Sequence, residues 1–246
     1  MIERLLRSPI LLAIAFLFAG LVGAAVYASV RPAAGGADRA GVEATVRDYI
    51  LANPEIIPQA MERLRDRETG KVVQANRAGI VTPFGSAWKG AKTPDVTVVA
   101  YMDYACGYCR ASLPTLDRLI AADPKVRVVF RELPILSAES RTAAEWSLAA
   151  ARQGKFAAYH DALFAAGRLT PQSIDAAIAR AGLNRAAGQA FARSKAATDE
   201  LSKNLSMAGQ LGMTGTPAWV IGNRVLAGAI PLEQMQAAVT AARAAN

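Results

Sequence analysis

Two cysteines in the sequence Cys106-Gly107-Tyr108-Cys109 follow directly after a short apolar, β-branched run at residues 96–102. A run of this length and composition predicts a buried strand, and the residues from 107 to 120 fit a helix. A second β-branched run at residues 126–133 completes the order strand, helix, strand, which predicts parallel strands joined by a right-handed crossover. This pattern indicates an α/β fold in which the cysteines lie where a strand leads into a helix.

The cysteine content limits the chemistry of the chain. With only 2 cysteines and 1 histidine in 246 residues, a disulfide-rich scaffold and a self-contained four-ligand zinc site are both excluded. The backbone N–H groups and the dipole of a helix N-terminus favour the thiolate form of Cys106. Two intervening residues bring both sulfurs within bonding reach, so we expect Cys106 to attack and Cys109 to resolve. An inert local disulfide and half of an intermolecular zinc site are the alternatives.

The overall composition is that of a folded protein with an ordinary solvated surface. Hydrophobic residues make up 52% of the chain and charged residues 20%, which excludes a disordered protein. The formal net charge is +8, but basic and acidic residues alternate, as they do at residues 62–68. A scattered pattern of this kind does not form a basic patch, so no nucleic-acid partner is predicted.

The first 30 residues resemble a leader for export. Arg4 and Arg7 precede an uncharged apolar run over residues 10–30 that is long enough to cross a bilayer. The sequence Val26-Tyr27-Ala28 offers small residues for cleavage, so a signal peptide and an inner-membrane anchor are both open. Either alternative places the remaining chain in the periplasm, a compartment that tolerates disulfides.

The next stretch predicts a linker at residues 31–40 and an N-terminal helical segment at residues 41–80. Apolar residues recur at helical spacing on both sides of a break at Asn53-Pro54-Glu55. Their stripe needs a partner, which is either copies of the same segment, forming an oligomerisation stalk, or the chain's own catalytic domain. Pro54 and Pro58 interrupt any long coiled coil. Glycines and a proline within residues 83–90 predict a boundary near residue 90.

The last part of the chain predicts helices followed by a hairpin. Residues 137–212 are rich in alanine and contain no convincing strand. Residues 218–221 and 224–226 flank a Gly222-Asn223 turn and predict a β-hairpin, and residues 231–245 predict a closing helix. The sequence Thr214-Gly215-Thr216-Pro217 stands directly before the hairpin, where a proline is tolerated at the first position of a strand.

Three stretches resemble the DsbA family of thiol:disulfide oxidoreductases over residues 90–246: Asp103-Tyr104-Ala105-Cys106-Gly107-Tyr108-Cys109-Arg110, Phe130-Arg131-Glu132-Leu133-Pro134 and Gly215-Thr216-Pro217. The resemblance implies a thioredoxin-like fold with a helical insertion at residues 137–212. It also implies that Cys106 is the exposed nucleophile, that Cys109 is its buried partner, and that Thr216 and Pro217 form a cis-proline loop beside the substrate. Gly107 replaces the proline common in this family, and Gly107 and Tyr108 occupy the positions that tune thiolate stability.

The same resemblance implies an enzyme with no cofactor beyond its own Cys106–Cys109 disulfide. Its partners would be unfolded or thiol-containing exported proteins and a membrane or periplasmic redox protein. Residues 42–76 resemble, more weakly, the N-terminal segment of ScsC-type members, which are bacterial proteins linked to copper tolerance and in some cases trimeric. The main hypothesis is an oxidase or general oxidoreductase. An oligomeric disulfide isomerase of the ScsC type and a copper-binding tolerance protein are the alternatives.

Other polar and sulfur-containing residues have less specific patterns. Asp103 and Glu132 are candidates for proton transfer at the cysteines, with surface or capping roles as the alternative. His160 has no second metal ligand in its sequence context and is interpreted as structural. Four of the six methionines are interpreted as core residues, with copper binding as the alternative; they are Met102, Met207, Met213 and Met235.

Overall fold

The structure, a computed structural model, describes residues 9–30 and 37–245. The chain divides into two compact units, Met1–Met61 and Glu62–Asn246. Arg4 and Arg7 of the predicted leader, and residues 31–36 of the predicted linker, lie outside the described residues.

The described residues of the first unit are mainly helical. The helices begin with α1 (Pro9–Val30) and α2 (Ala37–Ala52), followed by the start of α3 (Ile56–Ala75). The predicted break at residues 53–55 is confirmed. Helix α2 begins inside the predicted linker, because alanine favours helical backbone more than any other residue.

Among the described helices, none combines the length and the apolar character that crossing a membrane requires.

The second unit contains the two predicted buried strands and the helix between them. Along the chain they are preceded by a short helix and strand, and the five elements are α4 (Arg77–Val81), β1 (Trp88–Gly90), β2 (Val96–Met102), α5 (Gly107–Ala122) and β3 (Val126–Glu132). The helical stretch follows, as α6 (Ala138–Arg152), α7 (Phe156–Ala165), α8 (Pro171–Arg180), α9 (Arg185–Ala192) and α10 (Lys195–Gln210). The chain closes with β4 (Ala218–Ile221), β5 (Arg224–Ala227) and α11 (Leu232–Ala244).

The strands form one mixed sheet in the order β1-β3-β2-β4-β5. Strands β2 and β3 are parallel and β4 and β5 are antiparallel, which confirms the predicted βαβ unit and hairpin. Gly222 turns the hairpin with a φ of 61°, and a Cβ there would lie 2.8 Å from the Cβ of Ala242. Strand β1 was not predicted, because its three residues lack an apolar pattern and become a strand only by pairing with β3.

Both faces of the sheet are covered. Side chains of β2 alternate, so Val98 and Ala100 belong to the core beneath α5 and α11, whereas Val99 and Tyr101 belong to a second core on the opposite face. Four buried residues from the helices and from the C-cap of α10 close that second core: Val73, Ile80, Ala208 and Leu211. The end of α3 and helix α4 therefore pack on the sheet as part of the second unit.

A buried arginine fixes helix α4 to the sheet. The guanidinium of Arg131, on β3, donates hydrogen bonds to the carbonyl oxygens of Gly79, Ile80 and Thr82, and it pairs with Glu200 at 2.5 Å. These acceptors satisfy a charge that would otherwise be costly to bury. The predicted segment at residues 41–80 is thus divided, because its residues from 62 onward belong with the sheet.

Candidate active site

The two cysteines lie at the start of helix α5. Cys106 is the N-cap residue, and its Sγ accepts a hydrogen bond from the backbone N–H of Cys109 at 3.2 Å. This contact places the Cys106 sulfur at the helix N-terminus, where the dipole and the free N–H groups favour negative charge. The local sequence explains the geometry, because β2 ends at Met102 and only the turn at residues 103–105 separates it from the N-cap.

The turn before strand β4 completes the surroundings of Cys106. The Thr216–Pro217 peptide bond is cis, as the resemblance implies. The Sγ of Cys106 donates a hydrogen bond to the carbonyl oxygen of Thr216 at 3.2 Å, although the two residues are 110 positions apart in the chain. The antiparallel pairing of β4 with β2, in register at Tyr101 and Ala218, brings them together.

The two sulfurs differ in their surroundings. Both cysteines are free thiols, Cys106 is 6% exposed and Cys109 is 0% exposed. Burial raises the pKa of the Cys109 thiol well above its ordinary value. The implied order of accessibility is therefore correct, but the expectation of an exposed Cys106 is wrong, because the Thr216 loop and the start of α5 cover most of its side chain.

The residues between the cysteines face solvent. Tyr108 is 72% exposed, and Gly107 is also exposed. A Cβ added at Gly107 would meet no atom within 4 Å, so this position has open space beside Cys106. Gly107 and Tyr108 therefore form an exposed surface at the start of α5.

Asp103 is a buried hydrogen-bond acceptor and not a surface residue. One carboxylate oxygen accepts hydrogen bonds from the backbone N–H of Ala105, at 2.8 Å, and from the Ser140 hydroxyl, at 2.6 Å. The other accepts from the backbone N–H groups of Ile135 and Leu136, at 2.9 and 3.0 Å. Asp103 therefore joins the turn before Cys106 to the loop after β3 and to helix α6.

Glu132 belongs to a second buried network. Its Oε1 accepts a hydrogen bond from the Ser147 hydroxyl at 2.6 Å and lies 3.5 Å from the Tyr104 hydroxyl. The Tyr104 hydroxyl also lies 2.9 Å from the Ser147 Oγ and 3.2 Å from the Nδ1 of His160. This network connects β3 and the active-site turn with helices α6 and α7.

Burial determines the charges in this second network. It raises the pKa of Glu132 to about 8, with a further contribution from the Asp103 carboxylate, so the Glu132 side chain is largely protonated at neutral pH. Burial also lowers the pKa of His160 to about 3, which keeps that imidazole neutral. In the described part of the chain, no hydrogen bond from the carboxyl groups of Asp103 or Glu132 reaches a cysteine sulfur.

Ser140 and Ser147 were not singled out by the sequence analysis. They are buried on the same face of an alanine-rich helix, seven residues and two turns apart. A hydroxyl on a face otherwise formed by alanine and leucine is the signal that could have identified them. Their partners could not have been named, because Asp103 and Glu132 come from other elements.

The methionines do not gather at one place. Met102 and Met235 belong to the core beneath α5, whereas Met207 and Met213 pack against the core on the opposite face of the sheet. His160 is buried among aromatic rings, with those of Phe130, Phe156 and Phe164 centred within 5 Å of it.

Two family models match the sequence. The model described as a DSBA-like thioredoxin domain matches residues 97–240, and the model described as the copper resistance protein ScsC N-terminal domain matches residues 38–69. The thioredoxin-like fold with an N-terminal helical segment, expected from the sequence, is thereby confirmed.

Solved structures are similar over most of the chain. A thioredoxin-like oxidoreductase from Silicibacter pomeroyi DSS-3 is 35% identical, with a TM-score of 0.66 over 70% of this chain and 99% of that one. A periplasmic thioredoxin-like protein from Salmonella enterica serovar Typhimurium is 30% identical, with a TM-score of 0.60 over 68% and 95%. A linker-deletion mutant of Proteus mirabilis ScsC is 26% identical, with a TM-score of 0.68 over 88% and 100%.

A curated relative is a much longer protein. The Na(+)/H(+) antiporter NhaA 1 of Salinispora arenicola is 30% identical over 157 residues, which are 63% of this chain and 24% of the relative. This chain therefore spans about a quarter of the length of the curated relatives it matches.

Replacement of Asp103 by asparagine should destabilise the second unit strongly. Each carboxylate oxygen accepts two hydrogen bonds, so the amide NH2 of Asp103→Asn must face at least one backbone N–H in either orientation. We expect a loss of about 3 kcal/mol in the free energy of unfolding. The urea midpoint of the variant at pH 7 measures this loss, and an unchanged midpoint would contradict the role assigned to Asp103.

Replacement of Glu132 by glutamine should instead stabilise the protein, and the gain should grow as the pH rises. Glutamine mimics the protonated acid and does not titrate, so Glu132→Gln removes the cost of keeping a proton on a carboxyl whose pKa is about 8 when folded and 4.5 ordinarily. Between these pH values the folded protein keeps the proton and the unfolded chain loses it, so the stability of the parent protein falls as the pH rises. We expect the stability of Glu132→Gln relative to the parent to increase from pH 5 to 8, by up to about 1.4 kcal/mol per pH unit.

Urea unfolding of Glu132→Gln and of the parent protein from pH 5 to 8 measures the difference in their free energies of unfolding. The titration of His160 is common to the two proteins and cancels. Asp103→Asn is the control, because it retains Glu132 and should keep most of the parent's pH dependence. Parallel pH profiles for Glu132→Gln and the parent would show that the buried glutamate does not titrate as described.

Proposed function

This chain belongs to the family of DSBA-like thioredoxin domains, and from that premise we propose that it exchanges disulfides with exported proteins through Cys106 and Cys109. One observation carries the proposal. The Cys106 sulfur lies at the start of helix α5, 3.2 Å from both the backbone nitrogen of Cys109 and the carbonyl oxygen of Thr216. We assign Cys106 as the reactive sulfur and Cys109 as the resolving sulfur, and the exposure of Gly107 and Tyr108 beside them supports this assignment.

The proposed exchange has two steps. A substrate thiolate attacks Cys106 in the Cys106–Cys109 disulfide, which forms a mixed disulfide and releases Cys109 as a thiolate that takes up a proton. A second substrate thiolate then attacks the substrate sulfur of the mixed disulfide and releases Cys106. The substrate loses two electrons and the cysteine pair gains them. The reverse sequence, begun by the Cys106 thiolate, reduces a substrate disulfide.

The surroundings suit these roles. The raised pKa of Cys109 favours its protonated form after release, which leaves Cys106 as the sulfur available to substrates. We assign substrate contact to Gly107, Tyr108, Thr216 and Pro217, because these residues surround Cys106 on the exposed side and along the cis-proline turn. We assign Asp103 and Glu132 as positioning residues instead of proton donors, because their carboxyl groups are bonded to hydroxyl and backbone N–H groups.

We propose that the chain works in the periplasm, where a membrane or periplasmic redox protein would restore its cysteine pair after each exchange. The leader pattern of residues 1–30 and the likeness to a periplasmic thioredoxin-like protein support this location. Cleavage after Ala28 would leave Ser29 as the first residue. The mass of the N-terminal peptide from exported protein distinguishes a cleaved leader from a retained one.

Substitution of each cysteine should produce a different defect. Cys106→Ser should abolish disulfide exchange, whereas Cys109→Ser should accumulate mixed disulfides with substrate proteins, because the first attack survives and resolution is lost. Iodoacetamide in mildly acidic solution should modify Cys106 and spare Cys109, and peptide mass analysis identifies the modified sulfur. The double serine variant is the control for both assays. Equal modification of the two cysteines would contradict these assignments.

A second candidate function, an oligomeric disulfide isomerase of the ScsC type, is favoured by the match at residues 38–69. Several of the apolar side chains there are about half exposed or more: Val42, Val46, Tyr49, Ile57 and Met61. Those of α2 recur every three or four residues and so share one face. We propose that this face associates with copies of the chain and places several Cys106 sites around one substrate.

A charge on this face should separate the chains. Val46→Glu should convert an oligomer into monomers and lower the reactivation of scrambled ribonuclease, because a carboxylate in an apolar interface is costly to bury. Ala44→Glu, on the opposite side of α2, is the matched control. Light scattering of the exported protein measures the assembly. A monomeric parent protein would contradict the assembly, and full isomerase activity in a monomeric Val46→Glu protein would contradict its role.

Point substitutions are preferable to a deletion in this experiment. Removing residues 38–80 would take Val73 and Ile80 out of the core of the second unit, together with two carbonyl groups that Arg131 binds. A deletion would therefore confuse loss of assembly with loss of folding.

A further inference from the structure

A cavity of about 480 Å³ lies between the active-site segment and the helical insertion. Ala105 and Gly107, the two neighbours of Cys106 in sequence, line one side of it, and residues at the start of α6 and after α7 line the other. Among the described residues that line it, none comes from the Thr216–Pro217 turn. The cavity is therefore a separate surface that adjoins the reactive sulfur.

Two arginines line this cavity. Arg110 follows Cys109 in α5, and its guanidinium donates a hydrogen bond to the carbonyl oxygen of Gly167, which directly precedes Arg168 in the loop after α7. Within the described part of the chain, the buried Nε of Arg110 has no hydrogen-bond partner. Arg168 is exposed. The cavity is thus lined by two guanidinium-bearing side chains, and that of Arg168 is accessible from solvent.

One acidic residue shares the cavity with these arginines. Glu139, in the first turn of α6, lines it as well. Across the residues that the structure describes, no ion pair joins Glu139 to Arg110 or Arg168. Two guanidinium groups against one carboxylate leave an excess of positive charge beside Cys106.

We infer that this cavity is a subsite for a side-chain carboxylate of the substrate polypeptide, near the cysteine that reacts with Cys106. The inference rests on the proposed function and gives it a substrate preference. A carboxylate can accept charge-assisted hydrogen bonds from guanidinium groups, and the side chains of Arg110 and Arg168 both line the cavity. Because Ala105 and Gly107 line the cavity, an acid within a few residues of the substrate cysteine can reach it while the sulfurs meet.

The test uses the reduced full-length protein and synthetic peptides joined to 2-thiopyridine through a disulfide. Each peptide contains one cysteine and one variable residue, which is glutamate, glutamine or lysine, placed one to three positions to either side of the cysteine. The Cys106 thiolate attacks the peptide sulfur and 2-thiopyridone leaves with the electron pair, so its absorbance follows the reaction. The leaving group is uncharged and does not compete for the arginines.

We expect at least one glutamate peptide to react about tenfold faster than its glutamine counterpart at low salt, with lysine slowest. The ratio of glutamate to glutamine rates should fall towards one in Arg168→Gln and in Arg110→Gln, and it should rise in Glu139→Gln. Arg193→Gln, an exposed arginine outside the cavity, is the control for net charge and should keep the parent's ratio. If Arg110→Gln misfolds because it loses its contact with Gly167, the ratio of glutamate to glutamine rates in Arg168→Gln tests the subsite by itself.

Three results would overturn the inference and leave the proposed function standing. The first is equal rates for glutamate and glutamine peptides at every position, and the second is a preference for lysine. The third is a fall in the ratio of glutamate to glutamine rates that is the same in Arg193→Gln as in Arg168→Gln. Failure of all peptides to react would overturn the proposed function and this subsite with it.

Discussion

The geometry of the active site depends on the four hydrogen bonds accepted by the Asp103 carboxylate. They join the turn before Cys106 to the loop after β3 and to Ser140 of α6, so one buried group connects the thioredoxin-like sheet to the helical insertion. The Glu132–Ser147–Tyr104 network also joins β3 and the active-site turn to helix α6. Its carboxyl group is largely protonated at neutral pH. Among the described residues, neither carboxyl group forms a hydrogen bond with a cysteine sulfur. The two networks instead fix the turn that precedes the N-cap of α5.

The asymmetry between the two cysteines follows from that placement. Cys106 occupies the N-cap, where it retains some contact with solvent, and Cys109 lies one turn into the helix, where burial raises the pKa of its thiol. The register between β2 and β4 adds the Thr216 carbonyl beside Cys106. The sheet therefore positions the cis-proline turn, and helix α5 gives the two sulfurs different burial.

The sequence predicted the features that depend on local patterns. The strand at 96–102, the cysteine pair at a helix start and the hairpin after Pro217 all have signals within a few residues, and all were found. Strand β1 and the burial of Asp103 and Glu132 were not predicted. Packing of the N-terminal segment on the catalytic domain was one of two open alternatives, and the structure shows it for Val73 and Ile80, although without a signal for the residues that they contact. Each of these depends on a partner distant in sequence, such as Arg131 binding the carbonyls around Ile80. A single sequence contains no local signal for such partners.

We expect Cys106 and Cys109 of one chain to form a two-electron redox couple. Equilibration of the protein in a series of glutathione buffers, followed by acid quenching, alkylation and intact-mass analysis, tests it directly. We expect one transition in which the ratio of oxidised to reduced protein follows the concentration of oxidised glutathione divided by the square of that of reduced glutathione, and does not depend on protein concentration. Disulfide-linked dimers that increase with protein concentration, or a glutathione adduct on Cys106 that Cys109 never displaces, would contradict it.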